Sequence, residues 1–312
     1  MKKIPQNNSS CSGRIRKICL AAGGAALAAS AAASIAFASY VTQIKGQTLK
    51  QALTWQKSHY DISWCSGLER KKYVITAWDG YQLHAELCRC PAGGNRYVIL
   101  SHGYTDNRYG NLKYMKIYLD RGYHCILYDL RGHGENQKTY CTYGCREAKD
   151  LQSVISDTRR RYGEGIILGL HGESLGAATT AAVMQYHPRV NFAVCDCGFA
   201  ALKNVLLPGM KKAHLPRLLY YGASLVSRIR YGYSFSQMKP IAALSDCDVP
   251  MLFLHGGEDA LISPEDSLRM SRAVKGYSEY HQIVGAGHAE SVLKQPKRYR
   301  QLVNSFLNTI GC

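Results

Sequence analysis

Apolar and polar positions alternate along this chain in two distinct ways. Short apolar runs of five or six residues recur: Arg96–Ser101 (RYVILS), His124–Tyr128 (HCILY), Gly165–Leu170 (GIILGL), Asn191–Cys195 (NFAVC), Pro250–Leu254 (PMLFL) and Glu279–Val284 (EYHQIV). Such runs predict buried strands. Between them lie helical patterns, around Asn111 to Arg121, from about Cys145 to Arg160, and roughly from Lys294 to Leu307. Ahead of them, RKKYVITAWDGYQLHAELCRC predicts a hairpin turning at Asp79-Gly80. Strands alternating with helices imply a parallel sheet covered on both faces, with chemistry gathered at the carboxyl ends of the strands.

The amino terminus has a different pattern. Residues 1–17 carry Lys2, Lys3, Arg14, Arg16 and Lys17 without an acid, and Ile18 to Val41 follow without any charge. A basic head before an uncharged stretch is an insertion or export signal. The stretch is longer than the ~7–15 residues of a cleaved signal core and close to the ~20 that cross a bilayer. The expectation is a retained span over 18–41, with the head cytoplasmic and the folded domain extracytoplasmic. The alternative is secretion after cleavage at Ala36-Phe37-Ala38. Residues 42–69 read as a polar connector, and 70–312 as the folded domain.

Composition narrows the function classes. The 312 residues suffice for one α/β domain, and 46% are hydrophobic. The formal charge of +17 raises nucleic-acid binding. No recognition motif accompanies it, and Arg159-Arg160-Arg161 reads as a solvated helix end, so no nucleic-acid partner is expected. The twelve cysteines match no paired CxxC zinc pattern, and no metal is assigned. Cys125, Cys195 and Cys197 fall in apolar runs as core residues. Cys88, Cys90, Cys141 and Cys145 could pair as disulfides in an exported domain.

Candidate chemistry centres on Ile166–Val183, IILGLHGESLGAATTAAV, where an apolar run breaks into Gly-x-Ser-x-Gly. That pattern fits a nucleophile elbow, with Ser174 at a strained corner between strand and helix. Gly172 and Gly176 would permit the corner, and Ala177 and Ala178 would let the helix pack close. A serine hydroxyl needs a base, and the base an orienting carboxylate. His288, in VGAGHAES, is the candidate base. Asp259, in FLHGGEDALISPEDS, is the candidate acid, with Glu258 beside it and Asp196 as runner-up. The backbone N–H groups of Tyr104 and Leu175 are the candidate oxyanion hole. Each of these residues follows a predicted strand, in the chain order Ser, Asp, His.

Six segments carry a family resemblance: SHGYTDN at 101–107, DLRGHGEN at 129–136, TYGCREAKDL at 142–151, GLHGESLGAAT at 169–179, LHGGED at 254–259 and GAGHAE at 285–290. In this order they resemble the α/β-hydrolase superfamily, in particular its esterase and lysophospholipase-like serine hydrolases. The resemblance implies an eight-stranded, mostly parallel sheet and a Ser-His-Asp triad working without metal or organic cofactor. It also implies a structural role for Asp129-x-Arg131-Gly-x-Gly and a helical cap inserted at about 199–245. The density of cysteines departs from the pattern. The implied activity is hydrolysis of a small-molecule or lipid-like acyl ester through an acyl-enzyme. A peptidase of aminopeptidase type and an inactive, membrane-tethered scaffold are the alternatives, while a dehalogenase would need Asp where Ser174 stands. The cap segment holds Lys203, Lys211, Lys212, Arg217, Arg228, Arg230 and Lys239 and no acid, interleaved with leucines and tyrosines. It reads either as a basic amphipathic lid facing anionic amphiphiles or as an ordinary cap with a solvated basic face.

Overall fold

The computed structural model describes residues 9–312, with side chains from Leu27 onward. Lys2 and Lys3 of the basic head lie outside the described residues, as do the side chains of Arg14, Arg16 and Lys17.

The chain opens with helix α1 (Ser9–Thr42), helix α2 (Leu49–His59) and a 3-10 turn at Ser63–Gly67. Strands β1 (Arg70–Thr76) and β2 (Gln82–Cys88) form the expected hairpin. Then follow β3 (Arg96–Ser101), α3 (Leu112–Leu119), β4 (Tyr123–Tyr128), α4 (Cys145–Tyr162), β5 (Ile167–Glu173), α5 (Leu175–Ala182) and β6 (Phe192–Asp196). The insertion folds as α6 (Leu202–Lys212) and α7 (Leu218–Tyr231). The last elements are β7 (Met251–Gly256), α8 (Pro264–Ala273), β8 (Ser278–Ile283), the short α9 (Ser291–Lys294) and α10 (Pro296–Thr309).

The eight strands form one sheet in the order β1-β2-β4-β3-β5-β6-β7-β8. β2 runs antiparallel to both neighbours, and the pairs from β4 through β8 are parallel. Burial explains the patterning. The central strands β4, β6 and β7 are buried at every position, as covering both faces requires. β1, at the edge, alternates instead. Along β3, Val98 and Leu100 enter one core layer with Tyr118 and Phe306, while Tyr97 and Ile99 enter the other with Leu151 and Leu170. This alternation lets one sheet serve two cores. Asp129 and Arg131 act as scaffold: Arg131 binds the carboxylates of Asp79 and Asp150, and Asp129 Oδ1 accepts from the Arg108 N–H at 2.8 Å.

The amino-terminal reading needs correction. Among the described residues no helix is long and apolar enough to cross a membrane, so a span over 18–41 is not supported. Alanine contributes too little hydrophobicity. The end of that stretch is also committed to protein packing. Ser34, Ala38, Val41 and Thr42 are buried. The Val41 carbonyl accepts from Tyr143 Oη at 2.5 Å, and the Thr42 carbonyl accepts from the Cys141 N–H at 2.9 Å. α1 crosses α7 so closely that a Cβ on Gly222 would stand 2.2 Å from Ser34 Oγ. The stretch read as a connector holds α2, capped by Thr48, with Ala52 and Gln56 buried. The ten described cysteines are free thiols, Cys88, Cys90, Cys141 and Cys145 among them.

Candidate active site

β5 passes into α5 through one residue, Ser174, whose backbone sits at φ 53°, ψ −111°. A non-glycine residue in the left-handed half of φ space is strained and persists only where its surroundings fix it. The fixing is visible on both sides. A Cβ on Gly172 would lie 2.2 Å from the Gly176 carbonyl oxygen, and one on Gly176 would lie 2.1 Å from the Ser101 carbonyl oxygen. The Ser174 N–H donates to the Asp196 carbonyl at 2.8 Å. The corner therefore presents the Ser174 side chain at the carboxyl edge of the sheet.

The loop after β8 brings His288 Nε2 to 2.9 Å from Ser174 Oγ. On its other side, His288 Nδ1 lies 2.7 Å from Asp259 Oδ2. A carboxylate facing Nδ1 requires the proton there, which leaves the Nε2 lone pair to accept from the serine hydroxyl. The imidazole is about one-fifth exposed (22%), enough for a bound molecule to reach it.

Asp259 sits in the loop after β7 with its side chain fully buried. Oδ1 accepts from the N–H groups of Leu261 and Ile262, each at 2.9 Å. Oδ2 faces both His288 and His255 Nε2, the latter at 3.1 Å. Burial alone would raise this carboxyl's pKa. Hydrogen bonds from His255 and His288, with the backbone donor of Ile262, outweigh it and hold the group well below the usual carboxylate range. Glu258 is exposed and takes no part. Asp196 is not brought to His288 either. It lies buried at the end of β6, accepting from Tyr114 Oη at 3.0 Å and Ser291 Oγ at 3.4 Å. Burial and then the charge of Glu173 push it up to about 6.

The turn after β3 lies against the serine: a Cβ on Gly103 would be 3.7 Å from Ser174 Cβ. His102 braces this turn. Its Nε2 accepts from the Leu130 N–H at 2.9 Å, so Nδ1 carries the proton and donates to the Gly103 carbonyl at 2.7 Å. His133 Nε2 meets the Tyr104 carbonyl at 2.5 Å. The Tyr104 ring turns away from Ser174, stacking on Tyr143 at 5.5 Å with its hydroxyl donating to the Gln43 carbonyl. Only its backbone is left to the site. Leu175 opens α5, where N–H groups lack intrahelical acceptors and the helix end is positive.

Four contributors carry no signal that the sequence reading used. His255 supports Asp259 from four residues upstream; its Nε2 also meets the Ile262 carbonyl at 3.0 Å, and its Nδ1 lies 2.7 Å from Ser267 Oγ. Glu173, next to Ser174, is buried in an ion pair with Lys113. Glu173 and Lys113, with Asp106, Trp55 and His288, line a cavity of about 650 Å³. Burial and the neighbouring Glu173 push Asp106 up to about 6. Only the place of His255 at the end of β7 and of Glu173 within the elbow motif could have drawn attention to them.

Cys197 shares the neighbourhood. Its sulfur, an Asp259 oxygen and a His288 nitrogen lie within 4.8 Å of one another. Burial, and then Asp196, Glu173 and Asp259, push the thiol well above its ordinary pKa. A metal needs the thiolate, and the Asp259 oxygens already have their donors, so this set is a poor fit for a cation.

Comparison with known proteins agrees with this architecture. The sequence model of the alpha/beta hydrolase fold matches residues 97–224. The chain is 28% identical over 303 residues to the uncharacterized protein YqkD of Bacillus subtilis (strain 168), covering 95% of this chain and 99% of that one. It is 26% identical over 215 residues to the alpha/beta hydrolase domain-containing protein 17C of Xenopus tropicalis, covering 64% and 58%. Of solved structures, the esterase Pf2001 of Pyrococcus furiosus superposes with a TM-score of 0.64 at 24% identity, over 80% of this chain and 92% of that one. The acylaminoacyl peptidase of Pyrococcus horikoshii gives 0.57 at 13% identity, over 77% and 41%. The sheet order, the glycine-bracketed elbow and the matching segment together give this chain the α/β-hydrolase fold.

Proposed function

We propose that the protein hydrolyses carboxylic esters through an acyl-enzyme on Ser174. The single observation that carries this reading is the line of hydrogen bonds from Ser174 Oγ through His288 to Asp259, at 2.9 and 2.7 Å. In the first half-reaction Ser174 Oγ attacks the ester carbonyl carbon and its proton passes to His288 Nε2. Asp259 keeps the imidazole oriented and stabilises its positive charge. The carbonyl oxygen becomes an oxyanion, to which the N–H groups of Tyr104 and Leu175 would donate. The carbon–oxygen bond to the leaving group then breaks, and the alkoxide takes the proton from His288. In the second half-reaction His288 deprotonates a water, which attacks the acyl-serine. The acid departs and Ser174 recovers its proton.

A second reading, cleavage of an amide, draws on the cavity beside His288. Its lining by Asp106, Lys113, Glu173 and Trp55 suits a polar group better than a long acyl chain.

The test is labelling with a fluorophosphonate, the adduct being located by peptide mass spectrometry. Rates on p-nitrophenyl esters and aminoacyl p-nitroanilides run alongside. Labelling of Ser174 that disappears in Ser174→Ala and His288→Ala, with esters turned over faster than anilides, supports the ester reading. Labelling with anilides preferred moves the assignment to the amide. Folded protein that takes no label and turns over neither substrate overturns both readings and leaves the scaffold alternative.

A further inference from the structure

Helix α7 buries one face and leaves another bare. Tyr220, Ala223, Ser224 and Ser227 pack inward. On the opposite side Leu218, Tyr221, Leu225 and Ile229 recur at spacings of three, four and four residues, which puts them in one narrow stripe. They are 77, 56, 60 and 78% exposed. Scattered exposed leucines are ordinary, but four large apolar side chains in register on one helix face are not.

Charge tells what such a stripe could meet. Between Asp196 and Asp246 the chain contains no acid, and its seven cations all belong to this cap. By helical periodicity Arg217 and Arg228 fall on one flank of the stripe and Arg230 on the other. Arg217, Arg228 and Arg230 are exposed, as are Lys211 and Lys212 at the end of α6. α1 packs along α7, with Arg230 Nη1 donating to Ser39 Oγ at 3.1 Å, yet it leaves the stripe open. Pairing the stripes of two copies would bring two acid-free, cationic caps together. An apolar ridge edged by guanidinium groups instead fits a surface that is apolar inside and anionic at its rim.

We propose that the α7 face of the cap is a peripheral docking surface for an anionic lipid bilayer. Leu218, Tyr221, Leu225 and Ile229 enter the headgroup–acyl boundary, and Arg217, Arg228, Lys211 and Lys212 meet lipid phosphates. The helix lies in the plane of the interface and does not cross it. This does not depend on which bond the active site cleaves.

The test uses the full chain in flotation with vesicles of phosphatidylcholine alone or mixed with phosphatidylglycerol. The expected result is association with the mixed vesicles only, weakening as salt is raised. Arg217→Glu/Arg228→Glu should lower the partition coefficient on the order of a thousandfold, since two attractive charges become repulsive. Leu225→Glu/Ile229→Glu should lower it at least tenfold. Both variants should keep the wild-type rate on a short, soluble p-nitrophenyl ester, which also reports that they fold. No association with the mixed vesicles overturns the proposal. So does association that both double variants retain, because another surface then carries it. A concentration-dependent dimer that Leu225→Glu/Ile229→Glu dissolves, without vesicle binding, would identify a second copy as the occupant and likewise overturn it.

Discussion

Gly172 and Gly176 face each other across the elbow with no room for one more carbon: a Cβ on the first would stand 2.2 Å from the carbonyl oxygen of the second. The contact is with backbone, so no side chain can swing aside to relieve it. Gly176 meets the Ser101 carbonyl oxygen in the same way, at 2.1 Å. The strained φ of Ser174 is thus held by strand-to-helix packing that only these two glycines allow.

Gly172→Ala and Gly176→Ala should each destabilise the protein by about 1–3 kcal/mol or more, the range for overpacking a close-packed interior. Each should also abolish fluorophosphonate labelling of Ser174 in whatever protein remains folded. Gly165→Ala is the control, because a Cβ there meets nothing within 4 Å. Urea denaturation distinguishes the cases. Wild-type stability in both elbow variants would show that the corner tolerates a side chain and is not held as described.

Asp259 and His255 give a graded pair. Asp259→Asn keeps the shape but allows the wrong imidazole tautomer, and kcat should fall by about 10³–10⁴-fold. His255 touches Asp259 without facing Ser174, so it is a positioning residue. His255→Phe removes the donor to Asp259 Oδ2 and should lower kcat by up to about 100-fold, as misplacement of a reacting group does. KM should stay near wild type in both. A His255→Phe enzyme with unchanged kcat would show that the two backbone donors at Oδ1 suffice to hold the carboxylate.

The ion pair of Lys113 with Glu173 is buried, at 3 and 7% side-chain exposure. Burial would lower the Lys113 pKa, but the charge of Glu173 holds it above the ordinary lysine range. Lys113→Met should cost about 3–5 kcal/mol, because Glu173 is left buried and unpaired beside Asp196 and Asp106. Adding Glu173→Gln removes the orphaned charge and should recover part of the loss. Urea denaturation of the single and double variants checks the sign; a double variant less stable than the single would contradict it.

How much of this was written in the sequence depends on what each segment buries. The central strands were legible because two-sided burial demands unbroken apolar runs, and their bounds fell within a few residues of those found. Ser174, Asp259 and His288 were legible because each sits in a glycine-rich turn after such a run, in a fixed order. α2 was not, since it turns only Ala52 and Gln56 inward and its other residues are polar or half-exposed. Lys113 was not, because a buried lysine looks like a surface one until its carboxylate partner is found 60 residues on. The uncharged stretch ending at Val41 was misread for a physical reason. Small residues such as Ser34 and Ala38 suit close contact with a neighbouring helix, and the absence of charge alone does not separate that use from a lipid-facing one.

His171 in β5 offers a test by pH. It is fully buried, with Nδ1 2.8 Å from Tyr118 Oη and Nε2 3.3 Å from Tyr299 Oη. Burial, and then repulsion from Lys113, push its pKa down to about 3. In the unfolded chain the group titrates near 6.5. Between those values the unfolded state binds a proton that the folded state refuses, so acidification favours unfolding. The stability linked to His171 is fully present above about pH 6.5 and declines by about 1.4 kcal/mol for each pH unit below it. His171→Gln lacks this titration. The stability advantage of wild type over His171→Gln should therefore shrink by about 2 kcal/mol between pH 7 and pH 5, measured by urea denaturation. A difference that stays constant across that interval would mean that His171 takes up its proton in the folded protein as readily as in the unfolded chain.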